Sequence, residues 1–198
     1  MDIKKTEENL KKRRFEVSIF KSRDEAADYI TGAISGKTVG IGGSMTIKEL
    51  GLYEKLKGHN DVIWHWVDTE PGANARATAA DVYLTSANAV AETGEIINID
   101  GGGNRVSATL FAKEKVYIII GINKIAPDFN AAMWRARNIA APQNAKRLNR
   151  NTPCAVNGDR CYDCSCDDRI CNGLVVLWGN MLGVGSTEVV IIEEGLGM

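Results

Sequence analysis

Apolar positions along the chain come in short blocks whose spacing switches between two periods. Residues 2–14 set Ile3 and Leu10 among scattered Lys and Glu, which predicts a charged helix with one narrow apolar stripe ending in the solvated run "KKRR". "FEVSIF" (15–20) alternates and predicts a strand. In "SRDE", Ser22 and Glu25 form a capping box, and Ala26, Ile30, Ala33 and Ile34 then share a helical face. "KTVGIGG" (37–43) predicts a strand running into glycines, and "SMTIKELGLYEKL" (44–56) a helix. The alternation continues with a strand over 61–68, a short helix over 71–81 with Ala73, Ala77 and Ala80 inward, and a strand over 82–90. "AETGEIINID" (91–100) predicts a polar turn and an alternating strand, a hairpin excursion that "GGGN" (101–104) ends. Beyond it lie a helix over 105–112, a buried strand over 115–124 and a helix over 128–141 that Asp128 caps and Pro142 ends. Two strands, 173–180 and 187–197, complete the chain.

Strands with unbroken apolar runs, alternating with helices, predict an α/β fold with a mostly parallel sheet covered by helices on both faces. Neither a repeat, a low-complexity linker nor a boundary divides it, so one domain over 1–198 is expected.

Composition narrows the function classes. The chain has 198 residues, 44% hydrophobic and 25% charged, long enough to bury its core without cross-links. A net charge of −1 gives no long-range field for nucleic acid or anionic lipid, and the basic residues form no patch interleaved with aromatics. The charged N-terminus is no signal peptide, and runs such as "VYIIIGI" (116–122) are too short to span a bilayer, so a cytoplasmic protein is expected.

Three segments offer chemistry. At the strand-to-helix turn "GIGGSMT", Gly42 and Gly43 allow close backbone approach, and the hydroxyls of Ser44 and Thr46 suit an anion. The turn lacks the Lys of a P-loop and the dinucleotide spacing, and reads equally as a tight turn with a hydroxyl N-cap. Residues 88–106 supply Asn88, Glu92, Asn98, Asp100, Asn104 and Arg105 near strand ends, where open α/β sheets form clefts. Glu92 there is a candidate nucleophile or general base, against the plainer reading of a solvent turn. Lys124, after Asn123 at a strand end, can neutralise a phosphate or carboxylate. His59 and His65 have no partner at a telling spacing, and Trp64 and Trp66 read as packing residues.

All five cysteines fall in "CAVNGDRCYDCSCDDRIC" (154–171). Clustered thiols in a reducing compartment hold metal or stay free more often than they form structural disulfides. The pair Cys161-x2-Cys164 is a chelating turn, and four of the five thiolates can hold zinc or an iron–sulfur cluster, although the spacing matches no standard ferredoxin run. Free or partly oxidised thiols in a loop over 151–172 are the competing reading.

Four stretches together carry a family resemblance: "GIGGSMTIKELGL" (40–52), "SANAVAETGEIINIDGGGNRVSATLF" (86–111), "VYIIIGINKIAPDFNAAMWRARNIAAPQNAKRL" (116–148) and "CYDCSCDDRIC" leading to "IIEEGLGM". The chain resembles the LUD (lactate-utilisation) domain family. That resemblance implies a Rossmann-like sheet of the NagB, ribose-5-phosphate isomerase and CoA-transferase group, with its cleft at the strand C-termini. It implies anion binding at Gly42, Gly43, Ser44 and Thr46 and an acidic active-site loop carrying Glu92, and Asn104, Arg105 and Lys124 match polar positions recurrent in the family; with Asn88 they complete the candidate ligand-binding set. Members of this subtype have Ser and Pro where this chain has Cys166 and Asp167, which implies Cys154, Cys161, Cys164 and Cys171 as the ligand set, with Cys166 spare. The implied function is an accessory subunit in iron–sulfur-dependent oxidation of L-lactate or a related small organic acid, with iron–sulfur redox subunits as partners. A free-standing enzyme of the CoA-transferase or sugar-phosphate-isomerase kind, using Glu92, is the alternative, and a non-catalytic metal-binding assembly module a third. The expected ligand is a small anion, whether organic acid, phosphate or CoA ester, and a homo-oligomer is expected.

Overall fold

The computed structural model describes residues 1–198. Its main sheet has six parallel strands: β1 (Glu16–Phe20), β2 (Thr38–Ile41), β3 (Asp61–Trp64), β4 (Val82–Thr85), β7 (Lys113–Gly121) and β10 (Val184–Ile192), ordered β1-β10-β7-β4-β2-β3. The central strands β7 and β10 are buried almost throughout, which is why "VYIIIG" and "EVVII" read as unbroken apolar runs. Their side chains still alternate. Tyr117, Ile119, Val190 and Ile192 join one core with Ala26, Ile30, Ile47, Leu52 and Leu56 of α2 (Arg23–Ala33), α3 (Met45–Glu49) and α4 (Leu52–Lys57). Val116, Ile118, Ile120, Val189 and Ile191 face the other way into a second core.

That second face holds α1 (Ile3–Lys12), which buries Leu10, and a second sheet. β5 (Ala89–Ala91), β6 (Ile96–Asp100), β8 (Ile125–Ala126) and β9 (Gly173–Leu177) pair in the order β8-β5-β6-β9. Val90, Ile96, Ile125 and Leu177 point at the main sheet. Ala89, Ala91, Ile97 and Ala126 point outward to Ala132 and Ala136 of a helical rod. The molecule is thus layered helix, main sheet, small sheet, helix, an α/β Rossmann-like architecture with helices also on the second face. No helix is long and apolar enough to cross a membrane.

Several elements differ from the periodicity. The strand expected over 82–90 divides into β4 and β5, in different sheets, with the buried residues Thr85–Ala87 between or ending them. The helix expected over 44–56 breaks at Gly51, whose φ of 63° lies in the left-handed region. The helix expected over 105–112 is only the turn α6 (Asn104–Ser107). Pro142 does not end its helix. α7 (Phe129–Arg135) passes through a π-helical turn, Ala136–Ala140, into α8 (Ala141–Arg147), where Pro142 sits in the first turn. The wider turn before Pro142 absorbs the missing N–H donor, so the rod continues. The end of α1 is less solvated than "KKRR" suggests. Arg13 donates from Nε to Thr93 O (2.8 Å) and from Nη1 to Trp178 O (3.0 Å), and its Nη2 meets Glu95.

Candidate functional site

Between β2 and β4 the chain order reverses: β2 leads outward to β3, and β4 leads inward to β7. A crevice opens beyond the C-terminal ends of strands at such a switch point. Three strand ends build it: Gly43–Ser44 after β2, Ser86–Asn88 after β4 and Lys124 in the 3-10 turn Ile122–Lys124 after β7.

Lys124 stands at its centre. Only 4% of the residue is exposed, and its ammonium donates to Ser86 Oγ (2.8 Å) and Thr46 Oγ1 (2.9 Å). Burial, helped by the nearby cations Arg135 and Arg105 and opposed by Glu49, lowers its pKa to about 7. The C-terminal segment packs beneath it. Asn123 exchanges hydrogen bonds with the Leu196 backbone, and Gly197, at φ 62°, lies so close that a Cβ there would stand 2.6 Å from Thr46 Oγ1 and 3.3 Å from Lys124 Nζ.

Arg105 frames the cleft rather than reaching freely into it. Its Nη1 donates to Asn98 Oδ1 (2.6 Å) and Ser86 O (3.3 Å), its Nη2 to Ile99 O (2.7 Å) and Asn88 Oδ1 (3.3 Å), and its Nε lies 3.7 Å from Asp100. With its donors committed, it lends positive potential and holds β4, β6 and the Asn88 loop in register. Asn88 is engaged likewise, accepting also from Ile99 N at 2.7 Å.

The cavity so formed, about 70 Å³, is lined by Gly43, Ser44, Thr46, Ser86, Asn88, Arg105 and Lys124, closed by Trp66, Ile99, Asn144 and Arg147. Three lining residues are cationic and none is Asp or Glu. Arg147 is exposed at the rim, over the Trp66 ring (5.0 Å to its centroid) and bonded to Asn144 Oδ1. The space opens into a groove of about 450 Å³ that includes His65, Asp100, Asn104, Arg147 and Arg169.

Of the residues expected in the site, Gly43, Ser44, Thr46, Asn88, Arg105 and Lys124 line this cavity. Ser44 also caps α3, accepting from Ile47 N at 3.3 Å. Gly42 lies under the wall, where a Cβ would stand 3.1 Å from the Arg105 side chain. Asn104 lies out in the wider groove, donating to Asn74. Glu92 is the correction. It follows β5 at the end opposite Asn88, about 13 Å along an extended strand. Its carboxylate accepts from Asp2 N (2.8 Å) and Lys5 Nζ (3.2 Å), and its carbonyl accepts from Asn9 Nδ2 (2.8 Å), so α1 encloses it. Burial pushes its pKa up, but the Asp2 N–H, Lys5 and the N-terminal ammonium outweigh this and hold it below the usual carboxylate range. Glu92 is an anchor for α1 and takes no part in the cleft. Ser86, Asn144 and Arg147 line the cavity with no signal beyond membership of the quoted stretches, and Trp66, read from the sequence as a packing residue, helps close it.

The cysteines form a second feature. Cys154 lies in α9 (Pro153–Asn157), and the remaining four fall in residues 158–172, which contain no helix or strand. Cys154, Cys161, Cys164 and Cys171 line one cavity of about 320 Å³, and Cys166 is outside its lining. Met133, Ala141, Pro142, Ala145 and Leu174 give it an apolar wall. The thiols stand around that wall, and no three His, Cys, Asp or Glu side chains meet around a common point.

Similarity to known proteins agrees with this architecture. No curated protein matches the chain. A solved structure, a DUF162 family protein from Deinococcus radiodurans, superposes with a TM-score of 0.57 at 15% identity, covering 96% of this chain and 95% of that one. At that identity the likeness establishes the fold. The model of the LUD domain matches residues 3–192, nearly the full length, and the chain therefore belongs to the LUD domain family.

Proposed function

We propose that this LUD domain binds a small organic acid anion in the Lys124 cleft, and that it serves as a subunit in the oxidation of L-lactate or a closely related acid. One observation carries the reading: a cavity holding a buried lysine amine beside Arg105 and Arg147, with no Asp or Glu in its lining. At about 70 Å³ it has room for a few water molecules, about what a three-carbon acid displaces. The Ser44, Thr46 and Ser86 hydroxyls suit the acid's oxygens, and Lys124 and Arg105 balance its charge. A free-standing enzyme built on Glu92 loses its base, because that carboxylate is enclosed by α1.

Calorimetric titration with L-lactate, pyruvate and inorganic phosphate tests the binding. L-lactate or pyruvate should bind one per chain, and Lys124→Met should weaken that binding about tenfold or more, since a hydrogen bond to a charged group contributes about 1.5–3 kcal/mol. Equal affinity in Lys124→Met, or binding of phosphate alone, would overturn the organic-acid reading. Lactate-dependent electron transfer in a complex reconstituted with redox subunits tests the subunit role, and its absence with lactate bound would reject that role alone.

A further inference from the structure

A cavity of about 320 Å³ lies beside residues 158–172. We infer that Cys154, Cys161, Cys164 and Cys171 hold an iron–sulfur cluster in it, with Cys166 outside the ligand set. Three independent features carry this. The first is selection: of five cysteines within eighteen positions, these four line a single cavity and the fifth does not. The second is the pattern of hydrogen bonds at sulfur. Cys161 Sγ accepts from the backbone N–H of Asp163 (3.3 Å). That contact comes from the residue two further on. Arg137 Nη2 adds a contact of 3.8 Å to Cys161 Sγ. The third is scaffolding of the loop. Arg169 donates to Cys164 O (2.7 Å) and Cys171 O (3.1 Å), joining two of the four ligands, and Asn172 N donates to Asp100 O (2.9 Å), fixing Cys171 to the end of β6.

Size and shape favour a cluster over a single ion. Zinc draws four sulfurs to one point at about 2.3 Å each, which leaves no room between them. Here the four thiols line about 320 Å³ with an apolar wall, two guanidinium groups, Arg137 and Arg169, and one carboxylate, Asp163. A polynuclear core fills such a space, and Arg137 and Arg169, which share Asp163 as an ion-pair partner, stand beside its thiolate shell. Nothing in this assignment depends on what the Lys124 cleft binds.

The test is anaerobic purification, followed by iron and acid-labile sulfide analysis, the visible absorption spectrum, and electron paramagnetic resonance after dithionite reduction. A brown protein with about four iron and four sulfide per chain, or about two of each for the smaller cluster, is expected. Cys161→Ser and Cys171→Ser should each lose most of the iron, whereas Cys166→Ser should keep it. Should the first two fail to fold, iron and sulfide reconstitution of Cys166→Ser and wild type decides alone. Stoichiometric zinc without iron, a reconstituted wild type that takes up no cluster, or loss of iron in Cys166→Ser would each overturn the inference.

Discussion

In water a lysine amine titrates near 10.4, and in this cleft burial and two neighbouring arginines bring Lys124 to about 7. In the free protein it therefore changes charge at neutral pH. The unfolded chain keeps the proton between about 7 and about 10.4, so the cost of burying this charge is present in full below pH 7 and is lifted as pH rises through that window. A bound carboxylate favours the ammonium and raises the amine's value above that of the free protein. Affinity should thus be full below pH 7 and fall by at most about tenfold per pH unit as pH rises above it, levelling once the bound value is passed. Calorimetry at pH 8 in buffers of different ionisation enthalpy should show proton uptake on binding. Lys124→Met should remove both the uptake and the slope; a wild-type affinity flat from pH 6 to 9 would show that Lys124 does not face the ligand's charge.

At the level of elements, α1 owes its place to Glu92 and to Arg13, which together tie it to the turn between β5 and β6. Because the Glu92 carboxyl is held below its ordinary value, its contribution is present above about pH 4.3 and is lost as pH falls through the lower folded value. Glu92→Gln should lower the thermal midpoint at pH 7 by about 2–4 °C, the effect of about 1 kcal/mol in a chain this long, and leave L-lactate binding unchanged. Loss of binding in a folded Glu92→Gln would return that residue to the cleft. The same elements show what the sequence made legible. Strands β1, β2, β3, β7 and β10, and helices α1, α2, α5 (Ala73–Ala79) and α7, stand within a few residues of where the apolar spacing puts them, because each buries one face against a sheet. The division between β4 and β5 was not legible. All of Val82–Ala87 is buried, polar Thr85 and Ser86 included, so neither burial nor periodicity carries a sign that the chain leaves one sheet for another. Glu92 misled for a related reason. A carboxylate near a cleft-forming strand and one anchoring a distant helix look alike until the N-terminal partner is placed beside it.

Across the whole molecule, the cleft and the cysteine cavity are neighbours, although the cysteines lie far along the chain from Gly43. Ile99, near the end of β6, lines both, and α8 turns Asn144 and Arg147 to the cleft and Ala141 and Ala145 to the cysteines. Residues Arg169, Ile170 and Asn172 belong to the cysteine cavity and also to the groove that the cleft opens into. Whatever orders residues 158–172 therefore shapes the entrance for the anion. Thermodynamic linkage makes the effect reciprocal, with couplings of about 1–3 kcal/mol, or roughly 5–150-fold, typical between coupled sites. Protein carrying its cluster should bind L-lactate at least about fivefold more tightly than the same protein stripped of iron. Cys161→Ser should behave like the stripped form, while Cys166→Ser should follow wild type. Saturating L-lactate should in turn slow iron loss to a chelator. Identical lactate affinities for loaded, stripped and Cys161→Ser protein would mean that the wall at Ile99 and α8 insulates the two cavities, and that the cysteine segment holds its shape whether or not the thiols are ligated.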